Sequence, residues 1–243
     1  GGDANGAVEE WETCLAEARL LKLNSAEGAI SANLGVAYHT LGDWGLSIQR
    51  LTRAVAMARR LCDRAAEGRR LCNLGSAYMC YGQQLLRTAA ETSGRQLGAS
   101  HYQHQLDKAM RLFAGALDIS RELGDRTAEA RRLGNLGIAC RCAAAAAPTD
   151  EQRRTLARLA IQHDTDAVTI CRVIGDQRSE GRRLGNLGTV YDMLGQKAEA
   201  VYHHGAALSI ARALGDRRRE GRILLHLGNV CYNHPDAELH ASP

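Results

Sequence analysis

Apolar and small residues recur along this chain at spacings of three and four, and the recurrence restarts at fixed landmarks. Leu71, Leu74 and Tyr78 fall on one helical face, as do Leu184, Leu187 and Tyr191. That is the period of an amphipathic α-helix, not the alternation of a strand. The landmark is a Leu-Gly dipeptide, at Leu34-Gly35, Leu74-Gly75, Leu136-Gly137, Leu187-Gly188 and Leu227-Gly228. The intervals are 40, 62, 51 and 40 residues, so a period of 40 runs through the chain with insertions of 22 and 11. The wording around the landmarks repeats: DRAAEGRRLCNLGSAY from Asp63, DRTAEARRLGNLGIAC from Asp125, DQRSEGRRLGNLGTVY from Asp176 and DRRREGRILLHLGNVC from Asp216. Self-similarity at such a period is the mark of repeated supersecondary units.

Each copy predicts two antiparallel helices. The first begins after Asp63, Asp125, Asp176 or Asp216, whose side chain can take an orphan N–H at the helix start. Glu67, Glu129, Glu180 and Glu220 follow four residues later, at the positive end of the helix dipole. The first helix is expected to close at Gly42, Gly82 or Gly195 and the second at Gly124, Gly175 or Gly215, glycine being suited to the left-handed closing residue. A glycine inside a helix costs about 1 kcal/mol against alanine. Five Leu-Gly glycines at one phase therefore predict close helix crossings. On the second helix, Ala109/Ala116, Ala160/Ala167 and Ala200/Ala207 bracket Phe113, Asp164 and His204, and these alanines are the expected counterparts of the glycines. Both insertions fall between the two helices of a copy and should lengthen them and project from one common edge, serving either structure or a partner. The first is expected to break at Gly94 to Gly98 and restart at Ser100; the second opens a helix with Thr149 and Gln152 at capping-box spacing.

Leu187-Gly188, Tyr191, Gly195, Ala200, His204 and Ala207 are spaced as in the tetratricopeptide repeat (TPR), and the chain resembles that family over about residues 7–232. Its 40-residue period and its LGD…EGR…NLG wording are similar to the LGN/Pins (partner-of-inscuteable) subclass. The third copy departs from the pattern, with Cys140 for the aromatic, Ala144 for the turn glycine and Asp164 for the bulky residue. The resemblance implies an all-α fold, a right-handed α-solenoid of antiparallel helix hairpins (a TPR superhelix). One array is expected over 1–235. It comprises a partial leading repeat at 7–24, where Ala7, Trp11 and Cys14 fit a second helix, then repeats at about 25–62, 63–124, 125–175 and 176–215. A partial trailing repeat at 216–233 and a disordered tail at 236–243 complete it. Neither end carries a polar capping helix, so a longer parent chain is expected.

Composition supports this picture. Aromatics are 4% and prolines number three, against 45% hydrophobic and 24% charged residues with a net charge of +4. The longest aliphatic block, Ala143 to Ala147, is too short to span a bilayer, and no retained signal peptide is read at the start. The eight cysteines, Cys14, Cys62, Cys72, Cys80, Cys140, Cys142, Cys171 and Cys231, form no CxxC pair or zinc-ligand spacing. Most fall at small-apolar positions and are expected to be buried thiols of a reducing, cytoplasmic protein. The resemblance adds association with cytoskeleton, cortex or cilium.

No HExxH, P-loop, GxSxG or DxDxDG occurs, so no catalysis, cofactor or metal is expected. His101 with His104, and His203 with His204, lack accompanying ligands, and Gly134 and Gly137 belong to the repeat. The informative feature is a polar stripe: Arg69/Asn73, Arg131/Asn135, Arg182/Asn186 and Arg222/His226, with Ala29/Asn33 in the leading copy. Each pair shares one helical face. Of 31 basic residues only Lys22, Lys108 and Lys197 are lysines, which favours forked contacts. Guanidinium forks and side-chain amides suit an extended acidic peptide, supplying charge for its carboxylates and partners for its backbone. The resemblance implies that this stripe lines a concave groove holding such a segment. The alternative is internal: Asn bridging to the next helix, Arg paired within the array. Arg70, Arg132 and Arg183 lie three residues after their glutamates and are expected to form ordinary surface pairs. The function read here is a non-enzymatic protein-interaction scaffold with no membrane partner, alongside further repeats of its parent chain. RNA binding through the arginines is the alternative, weakened by few aromatics and a pI near 8.7. A regulatory array from a larger enzyme or a cytoskeletal or ciliary protein is another.

Overall fold

A computed structural model describes residues 2–91 and 95–233. The tail expected at 236–243, and Gly94 of the expected break, lie outside the described residues. Among those described there are ten helices and no strand. They are α1 (Gly2–Leu20), α2 (Asn24–Leu41), α3 (Trp44–Arg60), α4 (Arg64–Glu91), α5 (Arg95–Glu122), α6 (Arg126–Ala145), α7 (Asp150–Ile174), α8 (Gln177–Met193), α9 (Lys197–Ala213) and α10 (Arg217–Asn233). The chain is all-α, as its periodicity requires, and none of these helices is long and apolar enough to cross a membrane.

Two compact units divide at Asp125 and Arg126, where the third copy begins. In the first, α2–α3 and α4–α5 are hairpins, with α1 against α2 and α3 against α4. Its apolar interior includes Leu51, Val55, Leu71 and Leu74, and a second cluster of Leu15 and Leu34. In the second unit α6–α7 and α8–α9 are hairpins, α7 packs on α8 and α10 on α9. Val168, Leu184, Leu187 and Ile223 form its core.

The joints between copies share one geometry. At Gly175, for example, the glycine N–H donates to Arg172 O and Asp176 N–H to Cys171 O, closing α7 in a Schellman motif. Asp176 then turns round and caps α8, its carboxylate accepting from Ser179 N at 2.9 Å. Asp63 and Asp216 do the same for Ala66 N and Arg219 N. Lys22 and Cys62 occupy the glycine place at the two earlier joints, with φ of +55° and +53°, so two of these turns carry left-handed residues with a side chain.

Gly82 does not close a helix. The insertion extends α4 straight through it, and a Cβ there would meet Tyr102 at 2.9 Å; the glycine admits α5 instead. α5 starts at Arg95, not Ser100, and Gly98 lies buried within it. The second insertion does open on Thr149, whose Oγ1 accepts from Gln152 N at 3.3 Å.

Four of the five Leu-Gly glycines are close-approach sites. Added Cβ atoms at Gly35, Gly75, Gly137 and Gly188 would meet Leu51, Phe113, Asp164 and His204 at 2.5 to 2.7 Å. At Gly228 nothing lies within 4 Å. Opposite Gly35 stands Leu51, and opposite Gly75, Gly137 and Gly188 stands the side chain between the paired alanines, not the alanines themselves. The alanines are fully buried at its flanks, and their small size lets the central side chain reach across.

The cysteines are less buried than expected. Cys140 and Cys171 are buried, but Cys14, Cys62 and Cys231 are exposed; Cys62 stands at the left-handed closing residue of α3 and not on a packed face.

Candidate functional site

The structure separates the arginines into three groups. The first lies at the joints. Arg59 Nε donates to Glu67 at 2.7 Å, Arg172 Nε to Glu180 at 2.6 Å and Arg212 Nε to Glu220 at 2.9 Å. Arg19 and Arg53 both reach Glu27, and Arg64, Arg126 and Arg217 clip Glu67, Glu129 and Glu220 from three residues before. Glu27, Glu67, Glu180 and Glu220 are therefore each tied to the end of the preceding helix, eight residues upstream. These arginines went unremarked in the sequence, although the Arg-x7-Glu spacing recurs in it.

The second group overturns an expectation. Arg132 and Arg183 are not surface partners of Glu129 and Glu180; they are 3% and 1% exposed. Arg70 is half-buried and donates to Ala54 O at 2.9 Å. Their glutamates are engaged by the joint arginines, so these guanidinium groups turn inward. Arg183 lies over Gly134, where a Cβ would collide with it, and its Nη1 is 4.0 Å from Asp164 Oδ1. Asp164 Oδ1 also accepts from Asn186 Nδ2 at 3.4 Å, while Oδ2 has no partner. Burial pushes the Asp164 carboxyl up to about 7 against the pull of Arg183. Aligning the copies carries the signal: Ile30 and Ile223 stand where Arg70, Arg132 and Arg183 do.

The third group is the predicted stripe. Asn33 on α2 and Arg69 and Asn73 on α4 are exposed in the first unit. In the second, Arg131, Arg182 and Arg222 are exposed and Asn135, Asn186 and His226 half-buried. Four of these, Arg182, Asn186, Arg222 and His226, converge on one cleft of about 310 Å³. Ile138 and Arg141 of α6, Gly181, Gly185 and Thr189 of α8, His204 of α9, and Arg219 and Ile223 of α10 complete its wall. Arg131 lies beside it, one of the charges that act on Arg182. Asn186 also bridges to the Asp164 side chain on the preceding helix, an internal contact, though not the bridge to the next helix's backbone that was the alternative.

The cleft is cationic. Burial and then Arg219 work against the charge of Arg182. Burial, then Arg222 and Arg141, hold His226 below the usual histidine range, with Asp192 pulling the other way. His226 stacks on His204 with ring centres 5.4 Å apart. Burial first, and then His226 and His203, depress His204 to about 4, leaving a neutral ring. His203 itself stacks on Tyr191, and His101 and His104 are exposed on α5. Among the described residues no three His, Cys, Asp or Glu side chains gather as a metal site.

No protein-family model matches the chain, and no curated protein matches it in sequence. Solved structures do resemble it. BtubC (BKLC) from P. vanneervenii superposes with a TM-score of 0.61 at 14% identity, over 99% of this chain and 95% of that one. A de novo designed helical repeat protein, DHR64, aligns with a TM-score of 0.44 at 14% identity, over 93% of this chain and 98% of the design. What the likeness to BtubC shows is the fold, an all-α helical repeat.

Proposed function

We propose that the chain is a non-enzymatic protein-interaction scaffold of tetratricopeptide type, close in its wording to the LGN/Pins subclass. It holds an extended acidic segment of a partner protein against the exposed arginines and amides of its first helices. One observation carries the reading. The joint arginines are answered by glutamates and Arg219 of the cleft by Asp216, whereas Arg141, Arg182 and Arg222 in the same cleft have no carboxylate in salt-bridge reach among the described residues. Crowded cations weaken one another until an anion arrives, and guanidinium forks match carboxylates closely. A cytoplasmic setting belongs to the same reading, since eight cysteines, three of them exposed, suit a reducing compartment.

Isothermal titration of a Glu/Asp-rich dodecapeptide, with an RNA oligonucleotide in parallel, tests it. Arg131→Ala, Arg182→Ala and Arg222→Ala are each expected to weaken the peptide about ten-fold or more, with a modest salt dependence. Tighter binding of RNA with a steep salt slope would turn the assignment to nucleic acid.

A further inference from the structure

Four arginines line the second unit's cleft; Arg219 is answered by Asp216, and the other three reach it from three helices, Arg141 on α6, Arg182 on α8 and Arg222 on α10. No acidic side chain shares the wall with them. Two further groups there lack partners. His204 is 1% exposed with neither ring nitrogen hydrogen-bonded, and Arg141 Nε is buried without an acceptor. An adjoining hollow of about 530 Å³ shares Arg219 and Arg222 and adds Arg178, Arg218 and Asp216. There the balance differs, because Asp216 answers Arg219 at 3.3 Å.

A carboxylate brings one negative charge and two oxygens in a single plane, enough for one fork or two coplanar ones. A phosphomonoester brings about −1.5 to −2 and three oxygens pointing in different directions. Forks arriving from three helices around a cavity meet the second geometry, not the first. We propose, building on the acidic-segment reading above, that the cleft bounded by Arg141, Arg182 and Arg222 seats a phosphorylated serine or threonine side chain of the bound segment. The neighbouring hollow, already partly neutralised, takes its unmodified acidic continuation. His226 adds a donor, since an arriving dianion offsets Arg222 and Arg141 and lets the imidazole take up a proton.

Three dodecapeptides identical but for one position test this: a Glu/Asp-rich sequence with a central serine, its phosphoserine form and its Ser→Glu form. Fluorescence anisotropy with the full chain at fixed ionic strength should find the phosphorylated form about ten-fold tighter than the glutamate form. In the Arg182→Ala/Arg222→Ala double variant that preference should vanish, and Arg182→Lys, which keeps the charge but loses the fork, should reduce it. Arg69→Ala, outside the cleft, should leave the preference intact. Both cleft arginines are exposed, and circular dichroism confirms that each variant folds. Equal affinity for the phosphorylated and glutamate forms would overturn the phosphate seat and leave the acidic-segment reading standing. A preference that survives the double variant would also overturn it, by putting the phosphate elsewhere. Absence of binding by any of the three peptides would overturn both.

Discussion

Replacing Asp164 by leucine removes the carboxylate that stands 4.0 Å from the fully buried guanidinium of Arg183. Leucine is a fair substitute sterically, because Leu51 fills the same place in α3 opposite Gly35. Arg183, 1% exposed, is then left with a buried and unanswered charge, and the expected loss is about 3–5 kcal/mol. Arg183→Ile, which copies Ile30 and Ile223, should cost less at mildly acidic pH, since Asp164 then sheds its charge by taking a proton. The double variant joins two apolar side chains and should return to wild-type stability or exceed it by about 1–4 kcal/mol. Urea denaturation of the four proteins closes the cycle. Acidity adds a second readout. With the carboxyl at about 7 when folded against 3.8 when free, the folded protein holds a proton that the unfolded chain has released between those values. The contribution of this group therefore grows as pH falls, by about 2 kcal/mol from roughly pH 7.5 to 5.5. The Asp164→Leu proteins lack that gain. His39, His203, His204 and His226, all depressed by burial, act in the opposite sense, losing stability as the unfolded chain protonates below its histidine range. They are present in all four proteins and drop out of the comparison. A loss below about 1 kcal/mol for Asp164→Leu, or additivity within about 0.5 kcal/mol, would show that the two groups are not coupled.

Two further outcomes follow from backbone and packing. Gly188→Ala places a Cβ 2.7 Å from the immobile His204 ring and should cost about 1–3 kcal/mol, whereas Gly228→Ala, with nothing within 4 Å, should gain about 1 kcal/mol from helix propensity; equal shifts in melting temperature would refute the close-crossing argument. Cys62→Gly relieves a side chain held at φ +53° and should raise stability by up to about 1 kcal/mol, which a lowered melting temperature would contradict.

Periodicity and caps were readable because they are local. A Leu-Gly landmark followed by an aromatic fixes the phase of a helix, and an aspartate before it marks the start. The interior arginines were not readable from spacing alone. Glu180 and Arg183 stand at i,i+3, which is the geometry of a surface pair, but Arg172 takes the glutamate from across the turn and frees Arg183 to point inward. Deciding between those outcomes requires knowing that the preceding helix ends within reach. Gly82 was misread for a related reason: the turn it marks in other copies is displaced by the inserted residues, and only its packing against Tyr102 remains. At the candidate site, the stripe positions were visible as a register, while Arg141 enters the cleft from a position of α6 beyond the stripe and His204 from α9, a second helix.

The joint between copies has a consequence for how such a chain changes length. One aspartate ends the closing turn of a helix and caps the next, and an arginine and a glutamate fasten the same corner from either side. Any residue added there would break all three at once. Among the described residues no such arginine–glutamate fastening occurs at the turn inside a hairpin, and both of the chain's insertions fall between the two helices of a hairpin, as two 28-residue helices in one copy and a 25-residue helix in another. Growth by duplication keeps the corner, growth by insertion keeps away from it, and diversity of outline accumulates at one class of turn.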